Sequence, residues 1–170
     1  MDHNIVKNTA PNLCILCIDQ AAKGDYQGRL YHLYAAEAIP FDYMYAGVRQ
    51  IDSLCDQLDY PQSSEQLRSF NKIKRKTKQT QENDCHTKET RAKQKMSKET
   101  LTQQKGKTAT FVIHVMHRQN ATWQGSVTWA EKDKKANFRS TLELIKLIDG
   151  AVEESMPEAG GEAPKDQQEP

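Results

Sequence analysis

The chain has 170 residues, a hydrophobic fraction of 36%, a net charge of +1 and four cysteines. Its mean hydropathy of -0.84 is low, so part of it is expected to lie outside any packed core. The sequence has no apolar run long enough for a membrane span and no basic, apolar start typical of a secretion signal, which predicts a cytoplasmic protein. The cysteines are therefore expected to be reduced, without a disulfide framework.

The first structured segment is predicted at residues 11–70, after a flexible N-terminus at 1–10. Its first strand is indicated by apolar side chains that alternate with period two, namely Cys14, Leu16 and Ile18. A loop over 20–27 and a second strand are expected next, with Gly28 suited to a bulge or tight turn. From Phe41 to Leu58 the apolar residues recur every three or four positions, which predicts a helix.

Residues 71–107 form a basic segment with few apolar side chains. Twelve lysines and arginines stand against four acids there, a balance of +8, and the large apolar residues are only Ile73, Met96 and Leu101. Such a segment buries too little surface to offset the entropy lost on ordering, which predicts a disordered linker. The acidic tail at 156–170 contains proline and glycine and is also predicted to be disordered.

Residues 108–155 show the strand and helix pattern a second time. Shifting the chain by 97 positions aligns Tyr26-Gln27-Gly28 with Trp123-Gln124-Gly125, Phe41 with Phe138, and Ile51-Asp52 with Ile148-Asp149. Matches of this kind at one offset indicate an internal repeat. We therefore predict a two-layer α+β fold, in which duplicated ββα units form one four-stranded antiparallel sheet with two helices on one face.

The sequence gives little indication of catalysis. Cys14 and Cys17 lie on a predicted strand, where period two directs them to opposite faces, so a zinc or redox pair is disfavoured. Asp52 and Asp149 each follow a basic residue by three positions, a spacing typical of exposed helix-surface ion pairs. No glycine-rich phosphate loop, nucleophile–base set or acidic cluster is recognisable. We expect no enzyme activity, no metal and no cofactor.

Candidate binding residues come from the two hairpin motifs and a neighbouring strand. They are Arg118, Asn120, Trp123 and Gln124 in the second unit, and Tyr26, Gln27 and Tyr31 in the first. Loops with this donor-rich, aromatic composition often bind ligands. The competing interpretation is a mobile hairpin in which the glutamine amides fix the backbone beside the glycine.

Three kinds of partner remain open. If the helices cover one face of the sheet, Ile15, Cys17, Val112 and Met116 on the other face would form an exposed apolar patch, which favours self-association or a protein partner. The basic linker, with Tyr31, Trp123 and Arg118 to stack or pair, favours nucleic acid as an alternative. A small-molecule site at the interface of the two units is the third possibility.

Several motifs resemble a family of small uncharacterised proteins from Clostridium-type Firmicutes. In the second unit they are Arg118-Gln119-Asn120-Ala121-Thr122-Trp123-Gln124-Gly125, Phe138-Arg139-Ser140 and Leu142-Glu143-Leu144-Ile145-Lys146-Leu147-Ile148-Asp149. In the first unit they are Gly28-Arg29-Leu30-Tyr31-His32-Leu33-Tyr34 and Ile39-Pro40-Phe41. The resemblance implies a bacterial origin and two recurring modules, and it implies no particular activity.

Overall fold

The structure, a computed structural model, describes residues 10–22, 24–63, 93–119 and 122–156. Its elements are β1 (Cys14–Ala22), β2 (Asp25–His32), β3 (Ile39–Phe41), α1 (Met44–Leu58), α2 (Lys98–Thr102), β4 (Ala109–Gln119), β5 (Thr122–Trp129), β6 (Lys134–Phe138) and α3 (Thr141–Ser155). The strands form one antiparallel sheet in the order β3-β2-β1-β4-β5-β6. The long helices α1 and α3 contribute to a core on one face, and Leu101 of α2 belongs to a second cluster on the other face.

The α+β class is confirmed, but the predicted four-stranded sheet with two helices is wrong. The sheet has six strands, and the described residues include three helices. The additional strands are the two edges, β3 with three residues and β6 with five, which are too short to show a period-two pattern. Pro40 in β3 and Lys134 and Lys135 in β6 are residues that protect sheet edges from further pairing.

The predicted hairpin loops are also part of the sheet. β1 continues to Ala22 and β2 begins at Asp25, while β4 continues to Gln119 and β5 begins at Thr122. Each hairpin has one register shift, between Ile18 and Gln20 in the first and between Val115 and His117 in the second. A bulge of this kind interrupts the alternation of side chains between the two faces of the sheet. The apolar period-two pattern therefore ends at the bulge, whereas the strand continues beyond it.

Strand pairing in the two halves of the chain corresponds at a constant offset of 97 residues. Cys14 lies opposite His32, as Phe111 lies opposite Trp129, and the rest of both hairpins follows in the same register. At the centre β1 pairs with β4, with Ile15 opposite Val112, and these two residues are themselves 97 apart. An approximate twofold axis therefore passes through this pair, and the buried residues of both halves form one continuous core.

The apolar face opposite the long helices is covered, so the predicted exposed patch is wrong. Its residues Leu13, Ile15, Cys17, Tyr31, Leu33 and Val112 are buried, whereas Met116 is 36% exposed. Leu101 and Met96 pack against this cluster, and the backbone amides of Lys95 and Met96 donate to the Leu33 carbonyl oxygen at 2.7 and 3.0 Å. Burial of one leucine contributes about 1.5–3 kcal/mol, enough to help dock a short segment.

The segments predicted to be flexible fall largely outside the described residues. This applies to residues 1–9, to the linker as far as residue 92, and to the tail from 157. The described end of the linker contains α2, and the Ser97 hydroxyl oxygen accepts a hydrogen bond from the Thr100 amide at 3.1 Å. None of the helices in the described ranges has the length and apolar character that crossing a membrane requires.

Candidate functional site

Each half of the sheet has a groove between its long helix and its edge strand. The α1–β3 groove has a volume of about 350 Å³ and the α3–β6 groove about 520 Å³. Seven lining positions correspond at the offset of 97: His32 and Trp129, Ile39 and Ala136, Arg49 and Lys146, Gln50 and Leu147, Ser53 and Gly150, Leu54 and Ala151, and Gln57 and Glu154. Equivalent backbone positions therefore present two different chemical surfaces.

The α3–β6 groove has an apolar lining of the size that small ligands occupy. Its apolar residues are Phe111, Val127, Trp129, Ala136, Leu147 and Ala151. Gly150 lies on the helix side, and a Cβ atom placed there would meet no other atom within 4 Å. Pockets of about 300–1,000 Å³ with mostly apolar walls and a few polar groups are typical of small-molecule sites. The absence of a side chain at Gly150 therefore helps to keep this groove open.

Trp129, one of the residues that line this groove, has a buried hydrogen-bond donor. The residue is 6% exposed, and its Nε1 atom is buried with no hydrogen-bond partner in the part of the chain that the structure describes. Buried tryptophan N–H groups are usually paired, because leaving such a donor unpaired costs free energy.

The charged residues around the groove are mostly basic. Three lysines border it, Lys134, Lys135 and Lys146, against the single acid Glu154. Lys135 is paired with Thr128 and its side chain therefore lies on the other face of the sheet, so the two remaining positive charges minus one leave +1. The ammonium groups of Lys132 and Lys134 lie 4.6 and 5.6 Å from the centre of the Trp129 ring. Both also pair with Glu154, and the hydrogen bond from Lys132, followed by that from Lys134, lowers the pKa of this carboxyl group.

The α1–β3 groove is smaller and more polar. His32 takes the place of Trp129, Ser53 the place of Gly150, and Gln57 the place of Glu154. The Gln50 side chain donates to the Pro40 carbonyl oxygen at 2.8 Å, which ties α1 to the edge strand. This groove contains one permanent charge, Arg49. It offers a structural comparison for the α3–β6 groove within the same molecule.

His32 makes the stability of the fold dependent on pH. Burial lowers its pKa below the ordinary 6.5, and Nδ1 accepts a hydrogen bond from the Tyr34 amide at 3.2 Å, as a neutral imidazole can. Burial, followed by the charge of Lys135, also lowers the pKa of His114. The unfolded chain therefore binds more protons than the folded chain as the pH falls below about 6.5.

We expect the free energy of unfolding to be level from about pH 8 to about pH 7 and to decrease as the pH falls below about 6.5. Urea denaturation at a series of pH values measures this dependence. In His32→Asn the amide oxygen takes about the position of Nδ1, can still accept the hydrogen bond from Tyr34 and does not titrate, so the decrease should be smaller. An equal decrease in both proteins would show that His32 does not contribute.

Arg118, predicted as a ligand-binding residue, forms a structural contact between β4 and the end of α1. It is 6% exposed, and its Nε donates to the Pro61 carbonyl oxygen at 2.9 Å. One terminal nitrogen lies 3.0 Å from an Asp52 carboxylate oxygen and 2.6 Å from an Asp56 carboxylate oxygen. Its donors are therefore directed to the protein itself, and Asp52 is paired across the fold.

Tyr26 of β2 forms the corresponding contact with α3, from the first half of the chain to the second. Asp149, the equivalent of Asp52, accepts a hydrogen bond from the Tyr26 side chain, and burial together with this bond raises the pKa of Tyr26 to about 12. Each aspartate thus contacts the hairpin of the opposite half. The expectation that both acids serve simply as exposed partners of bases on their own helix misses these two links.

The remaining predicted site residues do not converge on one place. Trp123 and Tyr31 are buried, and the Tyr31 hydroxyl accepts a hydrogen bond from Arg29 at 2.6 Å. Gln27 and Gln124 are exposed on β2 and β5, while Asn120 lies outside the described residues. Trp129, Gly150 and Glu154 were not among the predicted site residues. Two signals were available for them: the lysines around residue 134, and a helix glycine followed by Ala151.

Cys14 and Cys17 point to opposite sides of β1, as their spacing predicts. Cys14 belongs to the core under the long helices and Cys17 to the cluster on the other face. Burial is the main cause that raises the pKa of Cys17, to about 12, so the thiol stays protonated at neutral pH. These two residues therefore behave as small core side chains.

No protein-family model matches the chain, and no curated protein or solved structure shows significant similarity to it. The resemblance to the Clostridium-type proteins stays a prediction.

Proposed function

We propose that the protein is a non-enzymatic binding module whose ligand is a small molecule held in the α3–β6 groove. The observation that carries this proposal is the groove of about 520 Å³ itself, with a largely apolar lining that includes Trp129, Leu147 and Ala151. An apolar concavity of this volume with a few charged groups beside it is the usual form of a small-molecule site. The groove lies within the second half, away from the axis between the halves where such a site was first expected.

The other candidate partners receive less support from the geometry. The apolar strip that favoured a protein partner is covered by residues 95–101. Strand addition at the edges is opposed by Pro40 in β3 and by the lysines of β6. Arg118 and Trp123, considered for nucleic acid, are buried and therefore poorly placed to stack on bases or reach phosphates.

Gly150→Leu tests the groove because it fills the space and leaves the fold intact. The new side chain would start from a Cβ with no atom within 4 Å, and leucine is a better helix former than glycine. We expect the neutral fluorescent probe N-phenyl-1-naphthylamine to bind the full chain saturably. The substitution should weaken this binding by about tenfold or more, equivalent to at least about 1.4 kcal/mol.

The matched control is Ser53→Leu, which places the same side chain at the equivalent position of the α1–β3 groove. It should leave binding of the probe unchanged. Circular dichroism and urea denaturation of both variants check that they are folded. The proposal fails if the native protein does not bind the probe, or if both substitutions weaken binding equally.

A further inference from the structure

We infer that the ligand of the α3–β6 groove is an amphipathic anion, with an apolar body and a singly charged carboxylate or sulfonate head group. The head group takes the position of Glu154 between Lys132 and Lys134. This inference rests on the proposed function and adds the chemical class of the ligand. Its basis is the charge of the groove and the way in which its single acid is held.

The groove has more positive charge than its own residues neutralise. Lys134 and Lys146 line it together with Glu154, which gives +1, and Lys132 lies over the Trp129 ring beside them as a further positive charge. The Glu154 carboxylate contacts the ammonium groups of Lys132 and Lys134. The Glu154 carboxylate therefore marks the position that the carboxylate or sulfonate head group of a ligand would take.

Glu154 can be displaced readily. Both of its ion pairs are exposed, and exposed pairs contribute little to stability. When Glu154 moves away, Lys132 and Lys134 still have favourable positions near the face of the Trp129 ring, 4.6 and 5.6 Å from its centre. The basic site thus remains assembled for another anion.

An external anion with an apolar body has an advantage over Glu154. It brings apolar surface into the groove beside Leu147 and Ala151, and removing that surface from water is favourable. Its head group also pairs with the ammonium groups of Lys132 and Lys134, as the Glu154 carboxylate does. Neutral apolar ligands gain only the first of these terms, so the groove should select anions.

The equivalent α1–β3 groove lacks this arrangement. Gln57 stands in place of Glu154, His32 in place of Trp129, and Arg49 is the only permanent charge in its lining. This groove is therefore the internal reference for the experiment.

The experiment compares two probes with the same ring system, 1-anilinonaphthalene-8-sulfonate and the uncharged N-phenyl-1-naphthylamine. Fluorescence titrations use the full chain. At low ionic strength we expect the sulfonate to bind about tenfold more tightly than the neutral probe. This difference should shrink as the salt concentration rises from about 10 mM to about 1 M, because the Debye length falls from about 30 to about 3 Å.

Two substitutions assign the head-group position. Lys134→Gln should weaken binding of the sulfonate several-fold, and Glu154→Gln should strengthen it several-fold because the competing carboxylate is gone. Each should change the affinity for the neutral probe much less than the affinity for the sulfonate. Arg49→Gln, in the other groove, should change neither affinity, and Gly150→Leu should abolish tight binding of both probes.

The outcomes separate this inference from the proposed function. If the neutral probe binds and Gly150→Leu blocks it, while the sulfonate binds no more tightly or the Lys134 and Glu154 variants treat both probes alike, the anion selectivity is overturned and the groove stands. If neither probe binds the native protein, both the groove and its selectivity are overturned.

Discussion

Gly125→Ala is expected to lower the free energy of unfolding by about 3 kcal/mol or more, at the upper end of the cost of overpacking. A Cβ at position 125 would lie 2.1 Å from the His114 carbonyl oxygen and 2.8 Å from the Phe138 ring. The carbonyl belongs to β4, which pairs with β5 at this point, so it cannot move away without disturbing the centre of the sheet. Gly28→Ala should behave alike, because its Cβ would lie 2.0 Å from the Cys17 carbonyl oxygen.

Urea denaturation of the three single variants measures this effect, with Gly150→Ala as the matched control. At position 150 the new Cβ meets no atom within 4 Å, and loss of a helix glycine should raise the free energy of unfolding by about 0.5–1 kcal/mol. The substitutions at 125 and 150 therefore have opposite expected signs. Equal stabilities for Gly125→Ala and Gly150→Ala would contradict the packing described here.

Gly28 and Gly125 show how much of the fold could be predicted from the sequence alone. The aromatic-Gln-Gly motif and the later phenylalanine were recognisable at one offset, and the glycine was expected at a bulge or tight turn. The register shift of each hairpin does lie opposite the glycine and its preceding glutamine. The sequence could not show how close the neighbouring strands come: a Cβ at Gly28 or Gly125 would meet a carbonyl oxygen on one side and a phenylalanine ring on the other.

The first turns of α1 and α3 differ in the same way: one is stabilised by a residue distant in the sequence and the other by neighbouring residues. At the start of α3, Ser140 and Glu143 have the spacing of a capping box, a motif that depends on neighbouring residues alone. The Ser140 hydroxyl oxygen accepts a hydrogen bond from the Glu143 amide at 3.1 Å. The first turn of α1 is supported differently, because the Met44 amide donates to an Asp25 carboxylate oxygen at 2.7 Å, from 19 residues earlier in the chain. The N-cap residue of α1 is Tyr43, whose side chain makes no capping hydrogen bond.

The candidate groove could not be located from the sequence for a related reason. Trp129, Lys134 and Gly150 lie on three different elements, and only the packing of α3 against β5 and β6 brings them together. The donor-rich hairpin was the more visible signal. Its arginine, however, is directed to Asp52 and Asp56, a contact between residues more than 60 positions apart.

The second large expected effect on stability concerns Arg118 and its two aspartate partners. Arg118 is 6% exposed, whereas Asp52 and Asp56 are 34% and 64% exposed. Removing both acids leaves a positive charge in a buried position without its two carboxylate partners, although the Pro61 carbonyl still accepts from it. Removing the arginine leaves two carboxylates that water can reach. An unpaired buried charge is the more costly state.

We therefore expect Asp52→Ala/Asp56→Ala to lower the free energy of unfolding by about 2–4 kcal/mol, less than for a fully buried ion pair because both acids are partly solvated. Arg118→Met, which removes the charge and keeps much of the apolar volume, should cost only about 1 kcal/mol. Asp149→Ala is the matched control for the acids: it removes a hydrogen bond from the uncharged Tyr26 and should also cost about 1 kcal/mol. Urea denaturation at neutral pH ranks the three variants by their free energy of unfolding. If Arg118→Met lost more stability than the double variant, the contacts of the arginine and not its buried charge would determine the stability of this link.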